Sequence, residues 1–396
     1  MTNLDLSAGQ TGRSTRGHTP IWRFAISGVE MDLTVLESQI MFSKNQHDVV
    51  TMVVSSKTLT DTEGLVDEPV YFLFGQSPRV EPFYGYIVGI TESSTNSDAL
   101  QFSMVIMGVT RSMQGGQPRF WRDQTISAAV QSLVQTNGLG YAGQTHPHKW
   151  KALAQTNDSD WASILRWAGR LGWDVYVRYG VVLCYDPEVL FKDRGAYCLL
   201  KAGSEDDYST QDQRLILEFD ASDESDEMPD TIGTKMGYFN GETAQVVTQE
   251  GKFKRYKFRT NQVIRSKEEA TVFESASNLA DSYDTQKAST RMFGEADLYP
   301  GMGVDVTTSN YRLYKGRFDG RWLIDSVVHK LDRSSFQTQV KLSRPGRAQL
   351  YDTPYRSFWS VEGKPKPSMF QTTTSTKSWV STWNSAGSQA VTGGIQ

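Results

Sequence analysis

Apolar and polar positions alternate through most of the first hundred residues. In "IWRFAIS", Trp22, Phe24 and Ile26 fall on one side of an extended chain. That period of two is the pattern of a half-buried β-strand. "VVTMVVSS", "PVYFLFG", "FYGYIVGIT" and "ALQFSMVIMGV" follow at short intervals, with a turn expected at Thr95–Asp98 between the last two. Nothing before residue 120 carries a helical period, so residues 19–117 read as an all-β domain.

The period changes after Gln114–Pro118. Thr125 is placed to cap a helix, and Ile126, Ala129, Val130 and Leu133 recur at helical spacing until Asn137-Gly138 ends it. A second helix opens in "NDSDWASILRWAGRLGW", where Asp158, Ser159 or Asp160 can cap. Its apolar face is Trp161, Ile164, Leu165 and Ala168; Arg166 and Arg170 lie off it, and Gly172 stands where a helix-terminating glycine belongs. "WDVYVRYGVVLCYD" then predicts a hairpin around Tyr179-Gly180. Residues 118–205 are thus a small α+β domain.

A polar linker, Gly203–Gln213, precedes "RLILEF", where β structure resumes, and an acidic loop, Asp220–Asp230. "TKMGYFN", "AQVVTQ" and "KFKRYKFRT" are strand-like. Ser266-x-x-Glu269 is a capping box for a helix with Phe273, Ala276, Ala280 and Tyr283 on its inner face. From there to residue 346 the chain is β again, with a tight turn at Pro300-Gly301. "GYIVGIT…ALQFSMVIM" (Gly85–Met107) and "GRWLIDSVV…SSFQTQVKL" (Gly320–Leu342) share a glycine, an apolar strand, a polar turn and an alternating strand opened by Phe. They point to two copies of one β domain. After Pro345 the pattern lapses into low complexity, yet Trp359, Phe370, Trp379 and Trp383 punctuate it. Solvating tails seldom hold such residues, so residues 347–396 read as an extended arm with those four as partner-docking anchors.

The formal net charge of −4 gives no general pull toward nucleic acid or anionic lipid. Cys184 and Cys198 do not make a disulfide framework. Residues 1–18 are a polar arm without the apolar run of a signal peptide or anchor, so a soluble protein from a reducing compartment is expected.

Candidate chemistry is thin. His146-Pro147-His148 offers two metal ligands, but no third is spaced to complete a set. "DASDESDE" lacks the glycine and closing Glu of a calcium loop. Glu295 and Asp297 could form a carboxylate pair, but they flank a turn that fits a structural role better. Cys184 alternates on a strand and reads as core. Lys252, Lys254, Arg255, Lys257 and Arg259 interleave with Phe253, Tyr256 and Phe258, which suits an acidic partner surface better than a nucleic acid. No phosphate loop, dinucleotide fingerprint or Gly-x-Ser-x-Gly occurs, and no cofactor is expected.

The order of these parts resembles the baseplate hub, or tail-tip, family of tailed bacteriophages, with the late-control proteins and the hub part of VgrG-type spikes among its relatives. "QTNDSDWASILRWAGRLGWDVYVRYGVVLCYDP" resembles the family's capped helix and Gly-turn hairpin, "ISAAVQSLVQTNGLGY" its preceding helix, and "LYPGMGVDV" its Pro-Gly turn and strand. The resemblance spans about residues 20–346. It implies an α+β, mostly β fold: two tail-tube-like antiparallel β-barrel or sandwich domains, at 19–117 and at 206–248 with 286–346. A peripheral domain would occupy 118–205, and an insertion at 249–285 would pack one helix against it. It further implies a non-enzymatic virion protein at the distal end of the tail. That protein would be a homotrimer placing six tube-like domains in a ring, matching a six-fold tube to a three-fold tip and leaving a channel for DNA. Implied partners are the tail tube or a distal tail protein, a tape measure protein, and a separate spike, fibre or tip protein. Neither specific nucleic-acid recognition nor stable membrane association is implied. Two rivals of other classes are a tail-associated cell-wall hydrolase, which needs a carboxylate pair or metal triad in a cleft, and a receptor-binding adhesin, which needs exposed aromatics.

Overall fold

The computed structural model describes residues 20–57, 62–76, 79–93, 100–192, 197–202, 213–223, 232–239, 244–246, 255–259, 264, 266–283, 285–307 and 318–345. The first part is all β: β1 (Ile21–Ile26), β2 (Val29–Glu30), β3 (Thr34–Ser43), β4 (Val49–Ser56), β5 (Pro69–Gln76), β6 (Arg79–Ser93) and β7 (Leu100–Gly108). A 3₁₀ turn at Val109–Gln114 leads into β8 (Arg119–Trp121), α1 (Ile126–Thr136), β9 (Gly140–Gly143), β10 (Leu153–Gln155) and α2 (Asp160–Arg170). The hairpin of β11 (Asp174–Arg178) and β12 (Val181–Tyr185) and a short α3 (Pro187–Lys192) follow. Then come β13 (Tyr197–Ala202), β14 (Gln213–Asp223), β15 (Ile232–Phe239), β16 (Ala244–Val246), β17 (Arg255–Arg259) and α4 (Lys267–Tyr283). The described chain closes with β18 (Gln286–Phe293), β19 (Gly303–Thr307), β20 (Gly320–Asp332) and β21 (Phe336–Arg344).

Thirteen of these strands form one sheet, in the order β19-β13-β14-β18-β21-β20-β3-β4-β7-β6-β5-β1-β2. It is mostly antiparallel, and β19 also pairs with β20, so the C-terminal six strands close on themselves as a barrel. The sheet follows from the alternation. Val50, Met52 and Val54 of β4, with Phe102, Met104 and Ile106 of β7, point one way and are buried. Phe72 packs between Phe24 and Phe83, with ring centroids 5.6 and 5.0 Å away. Such aromatic pairs add roughly 0.5–1.5 kcal/mol each beyond the area they bury.

Two units in this sheet share one topology. β3, β4, β7, β6 and β5 lie side by side in that order, and so do β14, β18, β21, β20 and β19. Numbered along the chain, each is 1-2-5-4-3, and every pairing within it is antiparallel. The β-bulges coincide as well. Strand one slips between Val35 and Glu37 in the first unit and between Ile216 and Glu218 in the second. Strand four slips between Ile87 and Gly89, and between Ile324 and Ser326. The expected doubling is therefore present in the backbone. β15–β17 and α4 are inserted between strands one and two of the second unit and form a separate small sheet and helix.

The peripheral helices form where the spacing places them. Thr125 accepts a hydrogen bond from the Ala128 N–H, and Ser159, of the three candidates, accepts from Ala162. Trp161, Ile164 and Ala168 are buried as expected, Leu165 is only half-buried, and Trp167 is buried as well. A core of α1, α2 and the β11–β12 hairpin results, and it is completed by Ile264, Ala270 and Phe273 from the insertion. On α4 the capping box forms through Ser266, but Ala280 is exposed, and Ala270 and Glu274 are buried in its stead. β13, which the sequence places with the peripheral domain, pairs instead with β14 and β19 in the barrel. Cys184 is buried in the peripheral core, where burial pushes its thiol up to about 12. No helix among the described residues is long and apolar enough to cross a membrane.

Gly172 ends α2 with a φ of +68°, and a Cβ there would lie 2.7 Å from the Ala276 carbonyl oxygen of α4. Left-handed backbone and contact with a neighbouring helix's backbone both demand glycine. Gly172→Ala is therefore expected to cost more than the roughly 1–2 kcal/mol of left-handed backbone alone, read as a lower midpoint in urea denaturation.

Candidate assembly site

The two units meet where β3 pairs with β20. Seven residue pairs run antiparallel from Ser326 opposite Ser43 to Asp332 opposite Glu37. Val327 and Phe42, His329 and Ile40, and Leu331 and Ser38 face the core and are buried. His329 has no exposed surface; Phe42, Phe74 and Phe336 surround its ring at 5.8, 5.3 and 5.8 Å, and its Nδ1 lies 3.0 Å from the Thr338 hydroxyl. Burial drives its pKa down to about 3, so the seam carries a neutral imidazole.

One end of the seam is pinned by charge. Asp325, the extra residue of the β20 bulge, pairs with Lys44 at 2.8 Å and accepts from Ser343 at 2.9 Å. Lys44 also reaches Asp174 of β11 at 3.4 Å. Asn45, with a φ of 59°, donates through its side chain to Asp174 at 2.8 Å and accepts from the Val175 N–H at 2.8 Å. The peripheral hairpin is thereby fixed to the join between the units.

The tip of that hairpin reaches a second polar junction. Tyr179-Gly180 turns with φ values of 50° and 75°, the double left-handed pattern of a tight hairpin. Tyr179 donates to the Glu81 carboxylate of β6, and the Tyr299 hydroxyl donates to it at 3.5 Å. Arg178 lies over the rings of Tyr299 and Tyr179, 4.3 and 4.8 Å from their centroids. Burial raises the Glu81 pKa, and the Tyr179 hydrogen bond and Arg178 partly offset this. A cavity of about 20 Å³ beside these residues has room for a water, not for a substrate. Glu81, Arg178, Tyr179 and Tyr299 thus join the first unit, the hairpin and the second unit.

The residues singled out for chemistry do not converge. His146 and His148 stack edge to face at 6.5 Å, and the His148 N–H donates to the His146 ring. Among the described residues no three His, Cys, Asp or Glu side chains gather as a metal site. Glu295 is buried beside β21, and its N–H donates to Thr338. Asp158 pairs with Arg166, and Asp160 is buried, accepting from Gln155 at 2.6 Å and Asn137 at 2.8 Å. Arg170 is held over Trp150 and Phe273 at 5.3 and 5.8 Å. Trp359, Phe370, Trp379 and Trp383, the turn at Thr95–Asp98, residues 224–230 and residues 252–254 lie outside the described residues. The junction residues Lys44, Glu81, Arg178, Tyr299 and Asp325 escaped the sequence reading. Arg178 and Asp325 show in the sequence only as charged side chains within apolar strands, and Lys44, inside the polar run at residues 43–48, shows no signal.

No protein-family model matches the chain, and no curated protein matches it in sequence. The fold has solved counterparts. A tail protein from Neisseria meningitidis superimposes with a TM-score of 0.59 at 12% identity, over 82% of this chain and 96% of that one. The 43 kDa tail protein of prophage MuSo2 from Shewanella oneidensis gives 0.60 at 11% identity, over 83% and 99%. An E. coli component of the type VI secretion system, described as similar in structure to the T4 bacteriophage tail proteins gp27 and gp5, gives 0.56 at 11% identity, over 82% and 76%. The shared property is the fold of phage-type tail and secretion-spike proteins.

Two expectations follow from the seam and the junction. Unfolded His329 takes up a proton near its ordinary pKa of 6.5, whereas the folded residue does so only near 3. Stability is therefore lost as pH falls through that window, by about 2 kcal/mol at pH 5. The stability advantage of wild type over His329→Gln should shrink accordingly in denaturation curves at pH 7, 6 and 5. Tyr179→Phe removes one donor to a buried carboxylate and should cost roughly 1–3 kcal/mol, while Glu81→Gln with Tyr179→Phe should cost less than the two single changes added, by a double-mutant cycle.

Proposed function

We propose that this chain is a structural protein of a phage-type tail, a homotrimeric hub at the distal end. Three chains set six β units in a ring that matches a six-fold tube on one side and a three-fold spike or tip on the other. The ring leaves a passage for DNA. The observation that carries this reading is the doubling: two units of one topology, with matching bulges, already joined edge to edge in one sheet. A chain that is internally twofold counts as six around a three-fold axis. Head-to-tail contact between such chains gives a closed ring when the rotation closes. The shared fold with tail proteins from Neisseria and Shewanella supports the setting.

The proposal assigns the chain no catalytic step. What supports this is the use of its charged groups: Glu81, Asp160, Asp174 and Asp325 each bind a neighbouring element rather than face a cleft. The tail tube or a distal tail protein, a tape measure protein and a separate spike, fibre or tip protein are the partners proposed. The arm bearing Trp359, Phe370, Trp379 and Trp383 is the proposed docking element.

Electron microscopy of the purified protein, alone and with its tail tube partner, tests the reading. Rings with three-fold symmetry built of six β units are expected, with a trimer mass by light scattering. Monomers throughout, with no ring on adding the tube partner, would overturn it. Clearing of a peptidoglycan zymogram by the purified chain would favour a hydrolase instead.

A further inference from the structure

β20 changes partners at its bulge, and the outer-edge pairing of β3 begins, and that of β6 and β14 ends, close to theirs. In β20, Gly320–Leu323 pair with β19 before the bulge, and Ser326–Asp332 pair with β3 after it. The corresponding strand β6 pairs with β5 through Arg79–Tyr86, while after its bulge the outer edge of Gly89–Ser93 has no strand partner among the described residues. The first strands mirror this. β3 offers Glu37–Ser43, beyond its bulge, to β20. β14 pairs with β13 through Gln213–Ile216, and the outer edge of Glu218–Asp223 has no strand partner among the described residues. Among the described residues, then, the chain holds one completed seam and two equivalent strand edges, one in each unit, without a strand partner.

We infer that the Glu218–Asp223 edge of one chain pairs antiparallel with the Gly89–Ser93 edge of the next copy, in the register of the β3–β20 seam. The inference rests on the ring proposed above and names the surface that closes it. Aligning the bulges transfers the register: Ile90 falls opposite Asp223, Thr91 opposite Ser222, Glu92 opposite Ala221 and Ser93 opposite Asp220.

Three observations favour a second copy of the chain as the occupant. First, the edges are equivalent in topology to the pair, β3 and β20, that has already joined inside the chain. Second, the open edges leave apolar surface that the completed seam covers. Leu217 is 46% exposed and Phe219 half-buried, whereas Ser38, at the position of Phe219, is 2% exposed. Ile90 is half-buried, and its counterpart Val327 is fully buried. Third, the transferred register sets no acid directly opposite another. A one-residue slip would place Glu92 opposite Asp220, and it would also turn each side chain to the wrong face. Neither edge carries the proline or lysine that blunts a strand meant to stay unpaired.

Thr91→Cys combined with Ser222→Cys in the full-length chain tests the register. Both positions are exposed and share a row in the transferred register. Oxidation of assembled protein should give linked dimers and trimers on a denaturing gel. Thr91→Cys with Asp220→Cys, two residues out of register, should link several-fold less. A photo-reactive group at position 91 should capture residues 220–223 of another chain, read by mass spectrometry. Equal linkage from both cysteine pairs, or capture of residues 347–396 or of another protein, would overturn the inference. Three-fold rings that fail to link would sink the edge pairing and leave the hub reading standing. Absence of any ring would sink both.

Discussion

Backbone hydrogen bonds along β3 and β20 turn two separately cored β units into one sheet. A strand edge presents N–H and C=O groups that must find partners once water is excluded, and here each unit supplies the edge the other lacks. The bulges make this geometry available. Asp325, as the extra residue of β20, bends the strand away from β19 and toward β3, and its carboxylate is then placed to meet Lys44. Without that bend β20 would continue along its barrel, and the second unit would have no edge to share.

The peripheral domain is built around the same seam. Its hairpin touches the seam at Asp174 and Val175 through Lys44 and Asn45, and touches the outer strands through Tyr179. Each contact places a charged or hydroxyl group where burial would be costly unless it is paired, so the hairpin has few alternative positions. The polar residues at the start of α2 have a related duty. Ser159 caps the helix, Asp158 pairs with Arg166 of the same helix, Asp160 is tied to Gln155 and Asn137, and Trp161, Trp167 and Ala168 complete the core beneath the hairpin. These groups hold elements in register.

Local features were legible in the chain itself, because they depend on residues close in sequence. Alternation gave β4 and β7, a hydroxyl or acid before an apolar face gave the ends of α1, α2 and α4, and Tyr179-Gly180 gave the hairpin turn. The shared shape of the Gly85–Met107 and Gly320–Leu342 segments pointed to the doubling, since the same strand environment selects the same pattern. Where the reading slipped, a distant element decided. Ala280 sits on the helical face that spacing assigns to the core, yet it is exposed, and Ala270 and Phe273 meet the peripheral domain. β13 follows the peripheral domain in sequence and is drawn into the barrel by β19, about a hundred residues onward.

What the sequence determined by itself was a mostly β chain with two similar units and a capped-helix domain between them. What only the tertiary structure decided was which strand edges are joined, and which polar residues lock the parts together. Alternation fixes which face of a strand is buried but says nothing about its edges, because backbone groups are alike at every residue. Pairing of edges is a long-range choice, set by bulges and by side chains such as Lys44, Glu81 and Asp325 whose partners lie in other elements.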